Sequence, residues 1–423
     1  MKYKKKIKEI ICNEYFFSII AQGGLVLLGF IESICLARYL GAYLKGNFSY
    51  IYNTTAILQN IITFGIQMAY PYYRKKCNKV EQLINEFMSI IIVLFGVYYI
   101  VLIGVSFFIV NYNFNIAIIC FLLPFMGYDH VVTYIYMIEQ PNRTNGFSFL
   151  CKCAQLLYIA IIIKMTSANI YLGVLYYIIG SFIRGVYFTR NLDIHFSWVY
   201  IKFRRYKELV KFGFMPMLAV LMTTLNYRLD IIMLNFFDSI TYNEIGIYSI
   251  GIALSEKALL IPDSVKNILL SKLSRGKDEN EVALVMRVCF FISILFALFI
   301  QFLGGPLITY LYGEEYVGAD IVSYISVWGT TFMCFFKMIS QYNVVHHKQY
   351  LNVVFLSVAI GINIVLNLLL IPTWGINGAA LATGVGYVIS AIIFLLYFNK
   401  ITKIRVADMI FVKKNDLALF SNK

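Results

Sequence analysis

Thr223-Thr-Leu-Asn-Tyr-Arg-Leu-Asp-Ile-Ile-Met-Leu-Asn-Phe-Phe237 sets an arginine and an aspartate two positions apart inside an otherwise apolar run of helix length. If the run crosses a bilayer, Arg228 and Asp230 each cost about 2.5–3.5 kcal/mol on insertion scales, and such residues face protein or a water-filled cavity rather than lipid. The rest of the chain decides whether it crosses one. Of 423 residues, 60% are hydrophobic and 14% charged, where soluble domains carry about 25% charged residues. Mean hydropathy is +0.74. Apolar runs near the roughly 20 residues that span a bilayer as a helix recur along the whole length. The chain is read as an all-α, polytopic membrane protein.

About twelve candidate spans follow from run length, centred on 15–36, 50–70, 84–110, 116–138, 147–164, 169–189, 212–236, 245–263, 285–305, 321–343, 350–371 and 377–398. The first is longer than a signal-peptide apolar region and lacks a small-residue cleavage site, so it is read as a retained helix. Lys and Arg then set the orientation. Alternate short segments, from 1–12 to 399–423, hold 27 of the 36, and the intervening loops hold only Arg38, Lys45 and Lys164. By the positive-inside rule both termini are expected in the cytoplasm. The net charge of +14 is then mostly a cytoplasmic rim facing anionic headgroups, and no nucleic-acid partner is needed to explain it. Lys4-Lys-Lys6 and Lys202-Phe-Arg-Arg-Tyr-Lys207 read as solvated topology anchors.

Chemistry motifs are few. No phosphate-cradling G-x-x-x-x-G-K-[ST] loop occurs. Cys151 and Cys153 are spaced too closely for a zinc pair and read as small packing residues. His346-His347 beside Lys348 read as a helix-end pair. No nucleophile–base arrangement is present, and the longest outer connection, around Gly304–Asp320, offers only Glu314, Glu315 and Asp320. A conduit without cofactor or metal is favoured over an enzyme. Gly46-Asn-Phe-Ser-Tyr50 and Gly246-Ile-Tyr-Ser-Ile250 match at an offset of 200 residues, as expected of two six-helix halves forming a parallel repeat. The expected organisation is a lobe over 1–189, a basic linker over 190–211, a second lobe over 212–398 and a cytoplasmic tail over 399–423, with a cleft between the lobes.

Residues two apart on a helix point about 200° apart, so Arg228 and Asp230 need different partners. Glu256, Lys257, Asp129 and Lys337 are also embedded, whereas Arg184, Arg287 and Lys152 near cytoplasmic ends read as snorkelling. Arg228, Lys257 and Lys337, joined by Arg38, are the candidates for a cationic path suited to an anionic cargo. Asp230, Glu256 and Asp129 are candidates for ion coupling or for pairing helices; both roles stay open.

Leu36-Ala-Arg-Tyr-Leu-Gly41, Gly46-Asn-Phe-Ser49, Tyr227-Arg-Leu-Asp-Ile-Ile-Met-Leu234, Ile245-Gly-Ile-Tyr248, Leu311-Tyr-Gly-Glu-Glu-Tyr316 and Ile371-Pro-Thr-Trp-Gly-Ile-Asn-Gly-Ala-Ala-Leu-Ala-Thr383 run in order along the chain. Together they resemble the Wzx-type O-antigen and polysaccharide flippases of the multidrug/oligosaccharidyl-lipid/polysaccharide exporter superfamily. The resemblance implies two six-helix lobes and alternating access. It also implies a bacterial inner-membrane location and an undecaprenyl-pyrophosphate-linked oligosaccharide as cargo, alongside polysaccharide polymerase machinery. A multidrug exporter of the same fold, with an acidic rather than basic cleft, and a membrane-embedded polymerase or ligase are the alternatives. A proton or sodium gradient, or drain of product by polymerisation, are the energy sources left open.

Overall fold

A computed structural model describes residues 14–413, apart from Asn78, 275–278 and His347. The Lys4-Lys-Lys6 run, His347 and the end of the tail lie outside the described residues. Every regular element among them is helical: α1 Glu14–Ile62, α2 Ile66–Lys76, α3 Val80–Ile109, α4 Phe114–Glu139, α5 Pro141–Met165, α6 Ile170–Asn191, α7 Phe203–Leu234, α8 Tyr242–Ser255, α9 Leu260–Ser274, α10 Glu279–Tyr312, α11 Ala319–Val345, α12 Gln349–Thr402 and α13 Val406–Ile410. Among the described residues, ten helical stretches are long and apolar enough to cross a membrane, the eighth element counted through Lys266. Two of the ten are double. Gly41 (φ 69°, ψ 171°) breaks α1 and Gly375 (φ 56°, ψ −136°) breaks α12, a backbone region that only glycine occupies without strain. Twelve helical segments result. This is a multi-pass membrane protein, and its outward side chains suit lipid: Ile100, Phe107, Phe108 and Phe302 are all more than two-thirds exposed.

The helix after the Gly41 break begins at position 42 and α8 begins at Tyr242, so the 200-residue offset seen in the glycine pattern is also an offset of helix starts. The second start is capped by Thr241, whose hydroxyl accepts from the Glu244 N–H while Glu244 accepts from the Thr241 N–H, a reciprocal capping box. Asn113 and Asn169 cap α4 and α6 in a similar way. The span expected over 50–70 is instead interrupted. The helix ends at Ile62, Phe64 and Gly65 take positive φ, and α2 restarts at Ile66. Hydropathy is continuous across this break, so the run length did not disclose it.

The chain divides into two compact units, residues 1–217 and 218–423, with the boundary inside α7. In the first unit, Phe87, Val132, Tyr136 and Phe188 pack with Tyr70 and Leu209 around one core, and Leu40, Phe48, Ile51 and Ile159 around another. The basic stretch before the boundary is not wholly a solvated anchor. Arg204 is exposed, but Arg205 Nε donates to Glu86 Oε1 at 2.6 Å and its guanidinium lies 4.3 Å from the centre of the Tyr73 ring. A bidentate partner and an aromatic face hold that arginine against the unit. In the second unit, α11 is buried along most of its length. The start of the tail also docks: Met409 is fully buried and Arg287 donates to the Asp408 carbonyl at 3.2 Å, so Arg287 is packed rather than snorkelling.

Helices in lipid gain little from the hydrophobic effect against one another and associate through close packing at small residues. Gly329 of α11 and Gly384 of α12 show this, since a Cβ built on Gly329 would overlap the Gly384 backbone. Gly329→Leu is expected to destabilise the second unit by about 1–3 kcal/mol or more. A sharp fall in membrane level, read by blot and by thermal unfolding in detergent, is the expected result; unchanged level and melting would refute this packing account.

Candidate functional site

α7 and the 3-10 turn Glu256–Leu259 that follows α8 bring the opening arginine to an acid. Arg228 Nη1 and Nη2 donate to Glu256 Oε1 and Oε2 at 3.2 and 3.3 Å, a fork-to-fork geometry that fixes direction as well as charge. The pair is not sealed: the Arg228 side chain is 35% exposed and that of Glu256 19%. Lys257 interacts electrostatically with both. Lys337 donates to Asp263 Oδ1 at 2.6 Å, and Lys266 donates to the same oxygen at 2.8 Å. Tyr227, next to Arg228 in sequence, links the two groups, with Lys337 Nζ 5.4 Å from its ring centre. Arg228, Lys257, Lys266 and Lys337 stand against Glu256 and Asp263, an excess of two positive charges.

Asp230 points elsewhere. Its Oδ1 accepts from Asn367 Nδ2 at 2.9 Å and its Oδ2 from Thr383 Oγ1 at 2.6 Å. Asn367 also donates to Asn363 Oδ1 at 3.0 Å, Thr383 Oγ1 lies 2.9 Å from the Ala379 carbonyl, and Tyr248 reaches Thr383 at 3.2 Å. Asp230, Asn363, Asn367 and Thr383 are all buried. The Gly375 break turns α12 back on itself, so Asn367 before it and Thr383 after it meet one carboxylate. No cationic side chain among the described residues pairs with Asp230, and Asn367 Oδ1 has no hydrogen-bond partner. The result is a buried knot of carboxylate, amide, hydroxyl and carbonyl oxygens around one formal negative charge. Buried charges are ordinarily paired or bound to a cation, and transporters place unwound or helix-end carbonyls around such ions.

In the first unit, Arg184 Nη2 donates to Asp129 Oδ2 at 2.5 Å and Nε reaches both carboxylate oxygens at 3.2 Å, with Thr133 donating at 3.1 Å. Lys152 pairs with Glu32, which also accepts from the Tyr177 hydroxyl at 3.1 Å. Arg184 and Lys152 therefore do not snorkel; a carboxylate within the same unit holds each. Arg38 is exposed, shortly before the Gly41 break in the same unit. Of the sequence candidates, Arg228, Glu256, Lys257 and Lys337 come together, while Asp230 joins a separate cluster of the same unit. Arg38 and Asp129 belong to the first unit. Sequence reasoning missed Glu32, Asp263 and Lys266. Glu32 sits in the middle of an apolar run, so the cost argument applied to Arg228 would have found it. Asp263 and Lys266 lay at the edge of a span and were indistinguishable from rim charges.

Comparison with known proteins adds the following. The profile of the family described as polysaccharide biosynthesis protein matches residues 11–271. No curated protein sequence matches the chain. Among solved structures, the lipid II flippase MurJ in an inward closed conformation is similar with a TM-score of 0.76 at 16% identity, covering 96% of this chain and 92% of that one. An inward-facing multidrug resistance MATE transporter of the MOP superfamily gives 0.71 at 12% identity, covering 90% and 94%. A MOP superfamily transporter from Pyrococcus furiosus, described as having a binding pocket of reverse polarity, gives 0.61 at 10% identity, covering 92% and 94%. At these identities the likeness establishes the fold alone, which this chain shares with these transporters.

Proposed function

Because this chain belongs to the polysaccharide biosynthesis protein family, we propose that it is a flippase which carries an undecaprenyl-pyrophosphate-linked oligosaccharide across a bacterial inner membrane by alternating access. The observation that carries this reading is the cluster around Tyr227. A diphosphate needs cations that can present several donors, and arginine and lysine in a low-dielectric setting supply them. The two excess positive charges match a doubly ionised headgroup link, and the Arg228 side chain is 35% exposed. Arg228, Lys257 and Lys337 are assigned to the substrate path, and Arg38, exposed in the first unit, is a further candidate for it. The polyprenyl tail stays in lipid throughout, since withdrawing it would cost about 0.8 kcal/mol per CH₂.

Asp230 is assigned to ion coupling. A small monovalent cation such as sodium suits the carboxylate, amide and hydroxyl oxygens of this cluster, and cation entry would compensate the buried carboxylate. Polymerisation of the product outside would add drain to this drive. Both termini are assigned to the cytoplasm by the 27-to-3 bias of Lys and Arg.

The test is transport by the purified full chain in liposomes loaded with a fluorescent lipid-linked oligosaccharide. Accessibility of the fluorophore to a membrane-impermeant quencher is expected to rise with the protein and with an inward sodium gradient. Movement of an organic cation instead, with no movement of the lipid-linked oligosaccharide, would make the chain a multidrug exporter.

A further inference from the structure

The charged residues of the first unit surround a cavity of about 500 Å³, within the roughly 300–1,000 Å³ typical of small-molecule sites. It is lined by Asp129, Arg184 and Lys152, and by Gln155 and the Tyr52 and Tyr177 rings, whose centres are 4.8 Å apart. Both cations are already held, Arg184 by Asp129 and Lys152 by Glu32, so the four charges cancel. Gln155 is 6% exposed, and its Nε2 donates to the Tyr176 carbonyl at 3.3 Å while its buried Oε1 has no hydrogen-bond partner. His130, on the same wall, likewise has a buried Nδ1 without a partner. Buried polar atoms left without partners cost about 1–3 kcal/mol each, so a small turn of either side chain toward the cavity to meet a ligand hydroxyl would be favoured. Room for Gln155 is made by Gly180, where any Cβ would overlap its amide.

We propose that this cavity binds an uncharged sugar of the transported glycan, as a recognition site distinct from the diphosphate-binding cluster of the second unit. The inference rests on the flippase reading and deepens it. Sugar hydroxyls donate and accept at once, so they can bond to the outer edges of ion pairs without breaking them, and they can partner Gln155 Oε1 and the His130 nitrogen once these turn toward the cavity. The apolar face of a pyranose ring stacks on tyrosine. A phosphate or an acidic sugar, by contrast, would have to displace Asp129 or Glu32 from its cation and leave that carboxylate buried and unpaired. The site therefore selects against anions.

Saturation-transfer NMR on the purified full chain in detergent tests this with four probes: galactose, N-acetylglucosamine, glucuronic acid and inorganic pyrophosphate. Signal is expected for at least one neutral sugar and is not expected to be displaced by pyrophosphate. Gln155→Leu keeps size and removes the acceptor, and is expected to weaken binding about tenfold, the equivalent of one hydrogen bond. If that variant does not fold, Tyr52→Leu, which removes a stacking face and leaves both ion pairs, serves in its place with the same expected loss. No signal from either neutral sugar, signal from glucuronic acid alone, displacement by pyrophosphate, or full binding in a folded variant would each overturn the proposal. The same wild-type preparation is assayed for lipid-linked oligosaccharide transport. Transport without sugar signal rejects the pocket and keeps the flippase; absence of transport rejects the flippase reading itself.

Discussion

Exchanging the two ends of the forked pair, as Arg228→Glu with Glu256→Arg, is expected to restore membrane level but not glycan export in a strain lacking its own flippase. Each single change leaves a partly buried charge without its counter-ion. For a sealed pair this costs about 3–5 kcal/mol, and the 35% exposure of Arg228 puts the cost here nearer the lower end. Arg228→Ala and Glu256→Ala should therefore both lower the amount of protein, and both should lower export further than the loss of protein explains. The exchange rebuilds attraction but moves the guanidinium from α7 to the 3-10 turn, away from where the diphosphate is held. Export should stay at least tenfold below wild type, while Arg228→Lys, which keeps a cation in place and loses only the fork, should retain part of it. Full export by the exchanged pair would reassign Arg228 and Glu256 as a tie between helices.

Asp230→Asn is expected to weaken the response of transport to sodium strongly while leaving the chain folded. Asparagine has nearly the same shape and keeps one oxygen for the Thr383 hydroxyl, so the α7–α12 contact survives. What disappears is the negative charge that would hold a cation. Interactions with a charged group contribute about 1.5–3 kcal/mol each, so sodium activation should weaken by roughly 10–100-fold at least. Thr383→Val removes one oxygen of the shell and should shift the sodium dependence in the same direction by a smaller factor. Asp230→Leu is the structural contrast. It strips the acceptor from both Asn367 and Thr383, each loss costing about 1–3 kcal/mol, and should deplete the protein itself. Transport by Asp230→Asn with unaltered sodium dependence would remove Asp230 from coupling.

Which parts of this were legible beforehand follows from the length scale of each interaction. Twelve membrane-length helical segments among the described residues are written in apolar run length, because insertion into a bilayer acts on local composition. Divergence of Arg228 and Asp230 follows from helical pitch alone. The helix break at Phe64–Gly65, the docking of Met409 and the role of Arg205 were not legible. Each depends on a neighbour far along the chain: Gly213 beside Gly65, α10 beneath the tail, Glu86 and Tyr73 around the guanidinium.

The sequence by itself determined that the chain lives in a membrane, about how many membrane-length helices it holds, and that Arg228 and Asp230 are too costly to be incidental, since these rest on the free energy of each residue in water or lipid. Only the tertiary structure decided what each embedded charge does. Asp129, read as a lone embedded acid, and Arg184 and Lys152, read as snorkelling, are neutralised in space together with Glu32, whereas no cationic side chain among the described residues pairs with Asp230. That difference is set by which side chains the folded helices bring within 3 Å, a relation between distant residues that no local pattern records.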